Sequence, residues 1–243
     1  MRMLTFSKRC AKDILRDPLN LAFGLGFPIV LLVLLSAINE NIPNDMFSLE
    51  YLTPGISVFG LSFITLFSAT LVAKDRESSF LQRLYTTPMT SLDFIIGYML
   101  PLIPMAMAQG AVTYILAIAL GLDFGLNVVL AVIMIAPIST FYIALGLLFG
   151  SILNVKQVGG VCGGLLTNLS AWLSGIWFDV SLVGGVFEKV ARALPFYHAV
   201  ELERSLINGN LSTVASHLLV VAIYTVLTTA GAVLLFLKQM SRK

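Results

Sequence analysis

Long uncharged stretches alternate with short charged ones along this chain. Runs free of Asp, Glu, Lys and Arg cover 19–38, 51–73, 94–122, 124–155, 157–178 and 212–237. A bilayer core of about 30 Å needs about 20 apolar helical residues, and every run reaches that length. The pattern therefore predicts an all-α polytopic membrane helix bundle of six transmembrane helices. The third and fourth runs exceed one crossing and are separated only by a tight turn at Gly121 to Gly125, which predicts a tilted two-helix hairpin. Pro28, Pro54, Pro101, Pro104 and Pro137 fall inside the runs and predict kinks, with broken or tilted helices in the third and fourth.

Ahead of the first run the period changes. Met3, Phe6, Cys10 and Ile14 share one helical face, while Lys8, Lys12 and Arg16 recur four apart on another. Residues 1–17 thus predict an interfacial amphipathic helix, basic side toward headgroups, that turns inward at Asp17 and Pro18.

Composition agrees with this reading: 58 % of the 243 residues are apolar and 12 % charged, with a mean hydropathy of +0.92. The longest predicted extramembrane piece, 179–211, is too short for an enzyme-sized core. The net charge of +2 matters less than its placement. With a cytoplasmic amino terminus, 12 of the 15 Lys and Arg residues lie on the inner side, and the first outer loop carries only Glu40, Asp45 and Glu50. The positive-inside rule thus predicts a multi-pass protein of the cell membrane with both termini cytoplasmic.

Motifs for catalysis are missing. The sequence has no H-E-x-x-H, no G-x-S-x-G and no G-x-x-x-x-G-K-[ST], so no enzyme, metal or nucleotide site is expected in this chain. No basic patch of the nucleic-acid-binding kind is present. His198 with Glu201 is a weak metal pair, more consistent with loop hydrogen bonding, and Cys10 and Cys162 lie too far apart along the predicted topology to bridge. No run contains the ionised groups on which ion-coupled carriers depend, so the energy for transport is not intrinsic to the chain.

The most informative polar segment is 74–91, where charge alternates with apolar anchors. A short helix there places Phe80 and Leu81 near Leu84, with Asp75, Glu77 and Arg83 on the polar side and Thr87 and Pro88 as a stop. Such a helix can dock in a groove of a soluble partner. A membrane-embedded scaffold that docks a cytosolic partner without transport would use the same segment.

The run D-R-E-S-S-F-L-Q-R-L-Y-T-T-P-M-T-S-L-D-F-I-I-G-Y from Asp75 resembles the loop between spans two and three of ABC-2 type permeases, the membrane subunits of ATP-binding-cassette exporters. R-D-P at Arg16, S-G-I-W-F from Ser174 and L-P-F-Y-H-A-V-E-L-E-R-S-L-I-N-G from Leu194 agree with the same family, so the likeness extends over nearly the whole chain. Ser78, Ser79 and Phe80 depart from the usual Gly-Thr neighbourhood, and Asp179 stands where proline is common.

The resemblance implies a single permease domain, 1–243, exporting substrate by alternating access. It would pair with a second copy or a related permease and with separate cytoplasmic ABC ATPase subunits holding ATP and Mg. It assigns Glu77, Phe80, Leu81 and Arg83 to a cytoplasmic coupling helix within 74–91, and Lys8, Lys12 and Arg16 to an ATPase-adjacent interfacial helix. It also assigns 179–211 to an outer loop with re-entrant helices, where Pro195, His198 and Glu201 belong to an outer gate. Spans one, two and five would line the route, which singles out Thr53, Ser57, Phe59, Phe63 and Ser68 on the second and Asn168 and Trp172 on the fifth. That mildly polar, aromatic lining suits an amphipathic cargo.

Overall fold

A computed structural model describes residues 2–41, 47–78, 80–84, 86 and 89–241; among these, ordered secondary structure is helical. Thr87 and Pro88, the predicted stop, and Asp45 lie outside the described residues. Helix α1 (Arg2–Leu15) precedes a first crossing built from α2 (Pro18–Leu21), a π-helical turn (Ala22–Gly26) and α3 (Phe27–Asn41). Then follow α4 (Leu49–Glu77), the short α5 (Phe80–Leu84), α6 (Ser91–Ala119) and α7 (Leu126–Ile152). The chain continues through α8 (Val155–Val158), a second π segment (Gly159–Leu166) and α9 (Thr167–Leu173). It ends with α10 (Val180–Val183), α11 (Gly185–Ala193), α12 (Pro195–Ile207) and the long α13 (Leu211–Ser241).

Five helices among the described residues are long and apolar enough to cross a membrane: Ala22–Asn41, Leu49–Glu77, Ser91–Ala119, Leu126–Ile152 and Leu211–Lys238. The fifth predicted run is not among them. Its helical stretch covers 155–173, not 157–178, and carries Lys156, Gln157 and Asn168, which dilute its hydropathy. It still traverses the bundle antiparallel to α4. Val155 meets Glu77, Gly163 faces Leu66, Ser62 and Ser170 share a hydrogen bond of 2.9 Å, and Ile176 lies against Gly55. Among the described residues, this segment beside the five long helices makes six passes along the bundle.

Helix α4 is the axis of the fold, buried almost continuously from Leu52 to Ala73. It approaches α7 closely because Gly146 and Gly150 face it. A Cβ at Gly146 would collide with Ser68 Oγ and Thr65 O, and one at Gly150 with the Ala69 backbone. These two glycines therefore serve packing within the chain. Gly159, Gly160 and Gly164 have open space where a side chain would project.

The prolines behave differently from expectation. Helices α6 and α7 stay unbroken through Pro101, Pro104 and Pro137, as spanning helices can when neighbours stabilise the freed carbonyls. Irregularity appears in the first and fifth crossings instead, as the two π segments. The first lies just upstream of Pro28, whose ring would clash with the carbonyl four residues back, and widening the helix there relieves that clash. The tight turn between α6 and α7 rests on Gly121 at φ 115°, a conformation that favours glycine.

Candidate functional site

One end of the bundle gathers α1, the last turn of α4, α5, the start of α6 and the end of α13. Phe6 of α1 sits edge-on to Phe94 and Tyr98 of α6, with ring centroids 5.7 and 4.8 Å away. Gly97 leaves the space that Phe6 fills. Phe94 in turn stacks on Phe236 near the end of α13. The amphipathic pattern of α1 is thus realised: Phe6 and Cys10 are buried, while Lys8, Lys12 and Arg16 are exposed.

At the centre of this junction is Asp75. Its carboxylate accepts from Arg9 Nη1 and Nη2 at 2.5 and 2.6 Å and from the Tyr98 hydroxyl at 2.7 Å. The residue is 2 % exposed, which corrects the expectation that Asp75 lies on the polar side of the loop. Arg9 also pairs through Nε with Asp13 at 2.9 Å, and its guanidinium lies 4.0 Å over the Phe80 ring. Burial opposes the Arg9 charge, but the hydrogen bond and charge of Asp75, with Asp13 behind them, outweigh it and raise its pKa. Burial, reinforced by the negative Asp75, pushes the neighbouring Cys10 thiol up to about 12, so it stays protonated.

The segment predicted as one coupling helix divides in two. Lys74 to Glu77 form the last turn of α4, where basic residues complement the helix carboxyl end, and only Phe80–Leu84 forms the separate α5. Leu81 is 1 % exposed and anchors α5 in the core, Phe80 is partly covered, and Arg83 is exposed. Arg76 donates to Gly150 O and Leu153 O at 2.7 and 3.2 Å, closing the end of α7. Glu77 accepts from Val155 N–H at 2.9 Å, at the start of α8. Two adjacent charges on α4 thereby hold both ends of the link between α7 and α8.

The residues expected along the route separate. Thr53, Ser57 and Ser68 are fully buried, and Ser68 donates toward Thr65 O and Ile143 O, facing α7. Phe59 and Phe63 form an aromatic cluster with Phe27, at 6.0 and 5.5 Å, and Phe59 extends it to Trp177 at 6.0 Å. Asn168 and Trp172 are exposed on α9. Five of the seven positions, Phe59 and Phe63 included, are therefore buried within the chain, and the other two lie on an open face.

At the opposite end, Arg204 is the organising residue. It donates to Gly175 O and pairs with Glu201, each at 2.9 Å, and its guanidinium lies 3.5 Å over the Tyr51 ring. A cavity of about 320 Å³ opens beside it. Pro195 starts α12, and His198 Nδ1 lies 2.8 Å from His217 Nδ1. Glu203 accepts from the Tyr114 hydroxyl at 2.6 Å. Burial pushes its carboxyl up to about 8 against that hydrogen bond.

Among the described residues, no three His, Cys, Asp or Glu side chains gather as a metal site. No curated protein matches the chain. The ABC-2 type transporter family model matches residues 1–208, in keeping with a multi-pass helix bundle. The chain belongs to the ABC-2 type transporter family and is a transmembrane permease component of an ABC transporter, not its ATPase.

Proposed function

We propose that this permease exports an amphipathic cargo by alternating access, with the power stroke delivered through α5. The reading is carried by one observation: Phe80 of α5 packs against Arg9 of α1, and Arg9 in turn holds Asp75 of α4. Force applied to α5 or to the basic face of α1 therefore reaches α4, the axis of the fold, through a partly buried ion pair.

The positive-inside rule makes that end cytoplasmic, since Lys8, Lys12, Arg16, Lys74, Arg76, Arg83 and Lys156 cluster there. Both termini are then cytoplasmic, and 179–211 with its short helices lies outside. The length of α4 fits this placement. At 29 residues it rises about 44 Å, beyond a core of about 30 Å, so its last turn extends into the cytoplasm. ATP and Mg belong to partner ATPase subunits seated under α5 and the exposed Lys8, Lys12, Arg16 and Arg83. A second permease copy, or a related permease, covers the open face with Asn168 and Trp172 and completes the route beside the Phe27, Phe59 and Phe63 cluster. Pro195, His198 and Glu201 lie at its outer gate. Closure of the ATPases on ATP shifts α5 and changes which side of the pair is open.

The test is co-purification with an ATPase subunit and nucleotide-dependent transport in sealed vesicles. Phe80→Ala should leave ATP hydrolysis and abolish sided flux. Partner docking with no sided flux in the unaltered protein would mark the chain as a scaffold instead.

A further inference from the structure

A cavity of about 430 Å³ lies between α1 and the last turns of α4, within the range of small-molecule sites. We infer that it binds the headgroup of a phospholipid bearing a primary ammonium, an ethanolamine lipid of the leaflet on which α1 lies. The inference needs only that α1 lies at the membrane boundary, and it is independent of cargo and of transport direction.

The cavity is polar at one side and apolar at the other. Leu21, Phe67, Leu71 and Met105 form the apolar back. The charged side belongs to α1, to the turn after it and to the end of α4. Because α2 begins the first crossing immediately after α1, the charged side lies at headgroup depth and the apolar back at the depth of the first acyl carbons.

The charges set the class of guest. Arg9, Arg16 and Lys74 face Asp13, Asp17 and Asp75 around the cavity, so its rim sums to zero. Arg9 is committed to Asp75, and its Nε also pairs with one carboxylate oxygen of Asp13 at 2.9 Å. Lys74 and Asp17 are 3.3 Å apart and 56 and 29 % exposed in their side chains, a contact weak enough for the Lys74 ammonium to turn toward a ligand. A guest with net charge would leave one sign uncompensated at a partly desolvated site. A zwitterion would not: its phosphate meets Arg16 and Lys74, and its ammonium meets Asp13 and Asp17. A primary ammonium donates three hydrogen bonds to those carboxylates. A choline headgroup donates none, and a glycerol headgroup carries no cation.

The test uses the full-length permease purified with its ATPase partner and returned to nanodiscs. Bilayers would contain equal amounts of ethanolamine and choline lipid, then the mono- and dimethylated ethanolamines, then glycerol lipid, and native mass spectrometry would count the lipids retained. The expected result is one ethanolamine lipid per permease chain, preferred over choline lipid about tenfold, as loss of charge-assisted hydrogen bonds implies. The preference should fall with each added methyl. Asp13→Asn with Asp17→Asn should erase it, and Thr70→Leu, which narrows the cavity without touching a charge, should lower retention even if the acidic variant fails to assemble. Equal retention of all headgroups, or retention unchanged by Thr70→Leu, overturns the inference. Displacement by soluble glycerophosphoethanolamine at equal concentration overturns it as well, because it would mark a site for a water-soluble ligand.

Discussion

Arg9 holds Asp75 through both terminal guanidinium nitrogens, at 2.5 and 2.6 Å, across 66 positions of sequence. The pair joins the amphipathic α1 to the last turn of the central α4, and the same guanidinium covers Phe80 of α5. Three elements therefore share one cation. A bidentate guanidinium fits this junction better than an ammonium would, because it satisfies a carboxylate in two places and still presents a flat face to a ring.

Breaking that pair should cost stability. Asp75→Ala leaves the Arg9 charge without its main partner and the Tyr98 hydroxyl without its acceptor. A fully buried pair broken on one side loses about 3–5 kcal/mol. Arg9 is 36 % exposed in its side chain, so about 2 kcal/mol is expected here. Arg9→Lys should keep the charge but lose the bidentate geometry and part of the stability. Thermal unfolding of the purified complex measures both, and melting temperatures within error of the parent would show that the junction does not hold α1 in place.

Glu77 offers a finer test. Its carboxylate accepts from Val155 N–H at the start of α8, so Glu77→Ala should cost about 1 kcal/mol, as loss of a helix cap does. Glu77→Gln retains an acceptor oxygen and should cost less. Under the proposed coupling, Glu77→Ala also raises ATP consumed per cargo moved, whereas Glu77→Gln does so only weakly. Hydrolysis and flux measured on the same vesicles would separate the two effects.

The glycines divide into two classes with opposite expectations. Gly146→Ala and Gly150→Ala drive a methyl into Ser68 and the α4 backbone, and overpacking of this kind typically costs about 1–3 kcal/mol. Gly160→Ala and Gly164→Ala meet open space within the chain and should leave the stability of the single chain within about 0.5 kcal/mol. If they nevertheless disrupt assembly on a native gel, that face is the one covered by the second permease.

Glu203 predicts a pH dependence. Its carboxyl is raised to about 8 in the folded protein from an ordinary 4.5, so between those values the folded state holds a proton that the unfolded state has released. Stability should therefore fall as pH rises through this window, by up to about 1.4 kcal/mol per pH unit, and level off above the upper value. Glu203→Gln should remove that slope and stabilise the protein at alkaline pH relative to the parent. Melting temperature against pH for the two proteins gives the answer, and parallel curves would contradict it.

Hydropathy made the crossings legible because each must be apolar along its whole length. The 3.6-residue period did the same for α1, whose buried Phe6 and Cys10 and exposed Lys8, Lys12 and Arg16 follow the predicted faces. The fifth crossing was legible as an uncharged run, but its ends were not, because Lys156 joins the helix behind a capping box at Asn154 and the helix stops at Leu173. The prolines misled because a missing hydrogen bond is a local signal, whereas tolerance of it depends on neighbouring helices. Arg9 with Asp75 was not legible at all. Each reads alone as a solvated interfacial charge, and only their approach in space makes them the centre of the site. Thr53 and Ser57 looked like lining because polarity in a span suggests water, yet both are packed between helices.

The most direct test of coupling through α5 places a photo-crosslinking residue at position 83, which is exposed on that helix. The complex is then irradiated with and without ATP. The account predicts a covalent adduct to an ATPase subunit whose yield changes with nucleotide and is lost when Phe80→Ala frees α5 from Arg9. An adduct formed only with lipid, or no ATPase adduct in a complex that still hydrolyses ATP and moves cargo, would contradict it.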